Sequence, residues 1–285
     1  MTDFVSAIGQ HAFMRFALLA GVLASLACGI VGTYVVTRRI TVIAGSLAHT
    51  VLGGMGAAYF LREVHGWQWL HPLHGAIIAA LLAAMIIGWV RARGSDREDT
   101  VISALWAIGM AVGILFLFRT PGYKADLMTY LFGNIVMVDT QALRLLVALD
   151  LIILAVTLLF YNPLLAVCFD EEFARLRGIN VSLFYTLLLC LTALTIVTLI
   201  YVVGVVMVIA LLTLPVSVAG RFTQKLWHLM ALAATLSVAF TTVGLGISYT
   251  LDLPAGATTI LLAAGVYIVV NLAVDLRRRL ATGGR

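Results

Sequence analysis

Asp170-Glu171-Glu172-Phe173-Ala174-Arg175-Leu176-Arg177-Gly178 interrupts a chain that otherwise reads as one apolar run after another. Its five charges in nine residues cannot cross a hydrocarbon core, so this segment belongs in water between two membrane crossings. Phe173, Leu176 and Ile179 nevertheless recur through it at helical spacing, the pattern of a short helix laid against a partner. A solvated loop is the plain alternative.

Outward from this island the composition sets the class. The 285 residues are 62% hydrophobic and only 11% charged, far from the balance of soluble globular domains. The expected fold is an all-α integral membrane protein, a polytopic bundle of eight or nine transmembrane helices forming one domain over 1–285. Each apolar run is near the roughly 20 residues a helix needs to cross about 30 Å of hydrocarbon. The spans fall at 13–36, 41–61, 72–91, 99–118, 140–167, 181–201, 204–219, 227–250 and 256–276. Residues 181–219 form one nearly unbroken apolar stretch, divided here at Val203-Gly204 because a single helix would overshoot the bilayer; leaving it undivided gives eight spans. Asp126 to Val138 is too short to span and reads as a re-entrant or interfacial helix.

Lys and Arg accumulate in short cytoplasmic loops, which tests this topology independently. With the N-terminus outside, the inner segments hold Arg38, Arg39, Arg91, Arg93, Arg97, Arg175, Arg177, Arg221, Lys225, Arg277, Arg278, Arg279 and Arg285. Only Arg15, Arg62, Arg119, Lys124 and Arg144 remain outside. The island and the C-terminus are therefore cytoplasmic, and the net charge of +5 is an orientation signal, not a nucleic-acid footprint. The start, Met1-Thr2-Asp3, lacks a basic n-region or a small-residue cleavage pattern, so the first span itself is expected to direct insertion. Cys28, Cys168 and Cys190 show no metal-site spacing and read as small hydrophobes.

Ionisable residues inside the bilayer are costly and point to function. On a helix, Gly45, His49, Gly53 and Gly56 share one face, with Ser46, Thr50 and Gly54 beside it. Such small residues let another backbone approach closely, and His49 would project into the polar space that remains. Neutral imidazole suits a transient metal ion; the alternative is a ring bonded to a neighbouring helix. Asp150, ten residues into its span, is either a pathway carboxylate or the partner of a buried donor. Asp139 caps that span, while Glu98 and Asp99 suit the dipole of the fourth, after a Ser95 or Asp96 cap. In the outer loop, His71 and His74 flank Pro72 at a helix start, where both rings could face one arriving ion, and Trp67 and Trp69 read as interfacial anchors. No HExxH, no GxS motif with a plausible His partner and no P-loop occurs, so any driving energy comes from a partner or a gradient.

Several stretches, in order and spacing, carry a family resemblance. They are Gly29-Ile30-Val31-Gly32-Thr33-Tyr34-Val35-Val36 with Arg38-Arg39, Ser46-Leu47-Ala48-His49, Glu98-Asp99-Thr100 and Tyr130-Leu131-Phe132-Gly133-Asn134. Phe169-Asp170-Glu171-Glu172-Phe173-Ala174-Arg175 with Gly178-Ile179, and Val203-Gly204-Val205 through Ala210-Leu211-Leu212 to Pro215, complete the set. From about Phe13 to Asp275 the chain resembles the membrane permease subunits of ATP-binding-cassette importers for zinc, manganese or iron. The resemblance implies a multi-pass protein of the bacterial inner membrane that is not itself an enzyme. It implies a homodimer, two cytoplasmic ATPase subunits, an extracytoplasmic metal-binding protein, surrounding lipid, and no permanently bound cofactor, the divalent metal ion being the substrate. It also makes 169–179 the coupling helix, in which Phe169, Asp170, Glu171, Glu172, Phe173, Ala174, Arg175 and Gly178 meet the ATPase. In the family an Asp and a His four residues apart in the second helix commonly hold the ion; here the His is His49 but the Asp position is Gly45. Ser46, Thr50 or Asp150 could complete the site, two His49 residues could face each other across the dimer axis, or the channel could be mostly uncharged. A siderophore or cobalamin permease, and an energy-independent channel or scaffold subunit, are the rival readings.

Overall fold

A computed structural model describes residues 12–94, 98–120 and 140–282, and these form a helical bundle. The helices are α1 (Ala12–Thr37), α2 (Thr41–His65), α3 (Pro72–Ala92), α4 (Glu98–Arg119), α5 (Thr140–Leu159) and α6 (Tyr161–Phe169). They continue with α7 (Glu171–Leu176), α8 (Val181–Val203), α9 (Val205–Ala219), α10 (Leu226–Leu251) and α11 (Ala255–Thr282). The expected helix at 126–138, the Asp139 cap and the Ser95 or Asp96 cap lie outside the described residues.

Among the described residues eight helices are long and apolar enough to cross a membrane. The seventh member of the nine-span division, 204–219, is the shorter exception. The apolar stretch does break at Gly204, whose φ of 89° and ψ of 162° suit only glycine, but α9 has 15 residues. That is about 22 Å of helix, short of the hydrocarbon thickness. The span expected at 140–167 is corrected, because it is not one helix. It breaks at Phe160, because Pro163 has no N–H to continue the ladder and is tolerated in the first turn of a new helix. Twenty-eight residues in one helix would have run about 42 Å, well beyond the core.

Cross-helix pairs fix the direction of each pass. Ser46 donates to the Ile102 carbonyl at 2.7 Å and Thr50 to that of Leu105 at 3.2 Å, so α2 and α4 run parallel. Gly54 meets Ala79 while Ala58, further along α2, meets Gly75, so α2 and α3 are antiparallel. Gly29 meets Ala234 while Ser25 bonds Thr241 at 2.9 Å, which sets α10 against α1. Cys28 and Gly32 meet Leu211 and Leu212 in turn, so α9 returns alongside α1. One end of the bundle thereby collects the end of α1, the end of α3, the start of α4 and α7. The His65–Pro72 turn lies at the other end.

The core is made by α1, α2, α8 and α9, with Tyr34, Leu47, Tyr185, Leu188 and Ile196 fully buried. Outer helices expose Ile108, Leu115, Phe118, Leu151, Leu158, Leu261 and Val269, as lipid-facing surfaces do. Within α9, Pro215 cannot donate to the Leu211 carbonyl four residues earlier; the Cys28 thiol takes that acceptor at 2.8 Å. Cys28 is thus more than the small hydrophobe expected from sequence.

Helix α3 approaches α2 so closely at Gly75 that a Cβ there would stand 2.6 Å from the Ala58 Cβ. Gly75→Val is expected to destabilise the detergent-solubilised protein by about 1–3 kcal/mol. Gly265→Ala, where a Cβ meets nothing within 4 Å, should be neutral or slightly stabilising. Heating followed by size-exclusion chromatography measures both; equal behaviour of the two variants would refute the close α2–α3 packing.

Candidate functional site

His49 lies on α2 where α4 packs most closely. A Cβ on Gly53 would come within 2.8 Å of the Gly109 carbonyl oxygen, and one on Gly56 within 2.8 Å of the Gly113 oxygen. Both glycines serve the close packing their spacing suggests. Ser46 and Thr50 commit their hydroxyl protons to α4 carbonyls, and Thr50 also donates to its own Ser46 carbonyl at 3.0 Å. They are fasteners of the seam.

The His49 imidazole stacks on Trp106 of α4, with ring centroids 4.7 Å apart and planes 19° from parallel. Its Nδ1 is buried and has no hydrogen-bond partner. Gly45, one turn earlier, is buried against the same indole: a Cβ there would stand 3.2 Å from Trp106 and 3.1 Å from Ile209 of α9. A side chain at position 45 would therefore need Trp106 and Ile209 to give way by a few tenths of an ångström. The site is walled by α2, α4 and α9.

Asp150 is not brought to His49. It lies on α5 in an apolar pocket of about 240 Å³ shared with Leu23, Leu26, Ala27 and Ile30 of α1, and neither carboxylate oxygen has a partner. The His71 and His74 rings lie edge to face, their centroids 6.2 Å apart and their planes 70° from parallel. His71 also caps α3, its Nδ1 accepting from the Leu73 N–H at 3.3 Å, with Pro72 as the first helical residue. Among the described residues no three His, Cys, Asp or Glu side chains cluster to hold a metal ion.

At the opposite end the island folds as α7, a helix of six residues. Asp170 caps it, accepting from the Phe173 N–H at 2.9 Å, and Gly178 closes it at φ 75°. Ala174 is fully buried against the bundle, whereas Phe169, Phe173 and Leu176 are 63%, 48% and 88% exposed. A cavity of about 750 Å³ opens beside them, bounded by Phe169, Phe173, Arg177 and the Gln224–Trp227 segment. Glu172 and Arg175 point to solvent. Glu171 turns inward, where it pairs with Arg38, just past the end of α1, and with Arg91 of α3 at 2.8 Å. Arg91 continues to Glu98 at 3.6 Å and lies 4.0 Å over the Tyr185 ring, while the Tyr185 hydroxyl donates to Glu98 at 3.2 Å.

Sequence reasoning missed Trp106 and this cluster. Arg38-Arg39 and Glu98 were visible as orientation charges, a dipole partner and parts of family-like stretches, not as partners of one another. Nothing in the local sequence joins Glu171 to an arginine 80 residues earlier. The nearest signal for Trp106 was its position in a span whose facing helix carries glycines at helical spacing.

A model of the ABC 3 transport family matches residues 10–274. The "Probable metal transport system membrane protein" of Chlamydia trachomatis is 42% identical over 261 residues, covering 92% of this chain and 88% of that protein. The "Manganese transport system membrane protein MntC" of Halalkalibacterium halodurans is 30% identical over 267 residues, covering 94% and 89%. Among solved structures, PsaBC from Streptococcus pneumoniae in complex with Fab aligns with a TM-score of 0.84 at 27% identity, over 94% of each chain.

Removing the Glu171 carboxylate would leave Arg38 and Arg91 facing each other without their shared counter-ion. Glu171→Ala is expected to destabilise the protein by about 1–2 kcal/mol, a modest figure because the pairs are partly solvated. Raising salt should shrink the loss by screening the arginines. Glu172→Ala, on the solvent side, should change nothing. Thermal unfolding at low and high salt reads the difference, and identical stability of the two variants would refute the anchoring role of Glu171.

Proposed function

The chain belongs to the ABC 3 transport family, and on that premise we propose that it is the membrane permease of an importer for a divalent transition-metal ion. Manganese, zinc and iron are the candidate cargoes, and relatives are named for metal or manganese transport. ATP is hydrolysed in separate cytoplasmic subunits, since the chain has no phosphate-binding loop and performs no covalent chemistry itself. Two copies of the permease assemble with two such ATPases, and an extracytoplasmic binding protein delivers the ion. The N-terminus faces outside and the C-terminus the cytoplasm, in keeping with the arginine-rich island end of the bundle.

The observation that carries this reading is the construction of α7. A free loop would bury no residue and anchor no charge. Here Ala174 is packed, Glu171 is tied to two spans, and three large apolar side chains are held out into water. That is a rigid shoe with an apolar tread, suited to receive force from a moving partner and pass it to α1 and α3. In the membrane the ion passes near His49, whose imidazole offers a nitrogen ligand suited to transition metals. Alternating access opens this site first to the binding protein and then to the cytoplasm.

Phe173→Asp with Leu176→Asp is expected to abolish co-purification of the ATPase subunits and metal accumulation, while the permease still folds, because both residues are already exposed. An energy-independent channel or scaffold would keep its function in that variant. His49→Ala should lower metal accumulation at least about tenfold with the complex intact. Mass spectrometry of cellular metals with pull-down of the ATPase reads both variants, and wild-type accumulation in His49→Ala would remove His49 from the pathway.

A further inference from the structure

Metal-binding histidines ordinarily donate the second ring N–H to a carbonyl or carboxylate, which fixes the tautomer and aims the liganding nitrogen. His49 lacks that support. Its Nδ1 is buried without an acceptor, and the neighbouring hydroxyls of Ser46 and Thr50 have given their protons to backbone carbonyls. What holds the ring is the face of Trp106, stacked at 4.7 Å. The same indole, with Ile209, borders the backbone at Gly45, which has no side chain to bring a carboxylate to the ring.

We infer that Trp106 is the positioning and specificity-determining residue of the His49 site, holding the imidazole in its liganding orientation on a stretch of α2 that carries no carboxylate. This rests on the reading of the chain as a metal permease with His49 in its pathway. The consequence is chemical. Imidazole nitrogen without carboxylate favours zinc-like ions, whereas manganese favours oxygen ligands. The site should therefore discriminate for zinc against manganese. A stacked aromatic ring of different shape should preserve the orientation, and an aliphatic side chain of moderate size should lose it while still filling much of the seam.

The test uses the assembled complex of permease and ATPase subunits with its binding protein, reconstituted in vesicles, with Zn²⁺ and Mn²⁺ as the probes. The wild type is expected to show a lower KM for Zn²⁺ than for Mn²⁺. Trp106→Leu should raise the Zn²⁺ KM roughly tenfold, the scale of losing an orienting partner of a metal-bound His, and narrow the preference over Mn²⁺. Trp106→Phe should stay within about threefold of the wild type. Trp106→Leu with an unchanged Zn²⁺ KM overturns the inference. So does an equal loss for both ions in the Leu and Phe variants, which would mark Trp106 as seam packing alone. A wild-type preference for Mn²⁺ overturns the specificity half directly. A wild-type complex that moves neither ion, or a His49→Ala complex as active as the wild type, instead defeats the functional reading on which the inference stands.

Discussion

The close contact between the backbones of α2 and α4 is the constraint on which the rest of this protein depends. In lipid, apolar helix faces gain nothing from each other that acyl chains do not already supply, so association requires close packing and buried hydrogen bonds. The seam supplies both. Gly53 and Gly56 let the Gly109 and Gly113 backbones come within van der Waals contact, and Ser46 and Thr50 add bonds to carbonyls of Ile102 and Leu105. Because the two helices run parallel, this register repeats for more than three turns. His49 and Trp106 meet face to face as a result of it.

The same helix α4 joins the site to the charged end. Glu98, its first residue, is held by Arg91 and Tyr185, and Arg91 also holds Glu171 of α7. Trp106 stands eight residues further along, about 12 Å up the helix axis. A displacement of α7 is therefore felt at three places: the end of α1 through Arg38, the end of α3 through Arg91, and the foot of α4 through the Arg91–Glu98 pair. Helices transmit such movement as rigid bodies, because closely packed seams switch between arrangements and do not stretch.

The sequence disclosed the architecture because its signals are local and repeated: long apolar runs, one charged interruption, and arginines gathered at alternate turns. The break at Val203-Gly204 was legible for the same reason, since length alone excluded one helix. The break at Phe160 was not, because hydropathy stays high through it and only the following Asn162-Pro163 marks it. His49 stood out as an expensive residue, and the glycines around it announced close packing. Trp106 did not stand out, since a tryptophan in an apolar span has many neutral explanations until the facing helix is known. Asp150 had an equal claim on sequence grounds, yet it sits between α1 and α5, away from the α2–α4 seam. The ion pairs of Glu171 with Arg38 and Arg91 join residues 80 and more positions apart, which no window along the chain can reveal.

Helix α9 completes the logic of the site. A helix of 15 residues, too short to match the hydrocarbon by itself, calls for a turn at Gly204 whose polar backbone is kept from lipid. It is tolerable only if protein surrounds it, and α9 is indeed buried along Val205, Met207, Val208, Leu211, Leu212 and Val216, against α1, α2, α10 and α11. Even its proline defect is repaired from outside, by the Cys28 thiol on the Leu211 carbonyl. Full enclosure carries α9 to the wall of the His49 site, where Ile209 faces Gly45. A full-length span could have faced lipid on one side; a short one must lie inside the bundle. The deficit in length of α9 is thus what brings a third wall to His49.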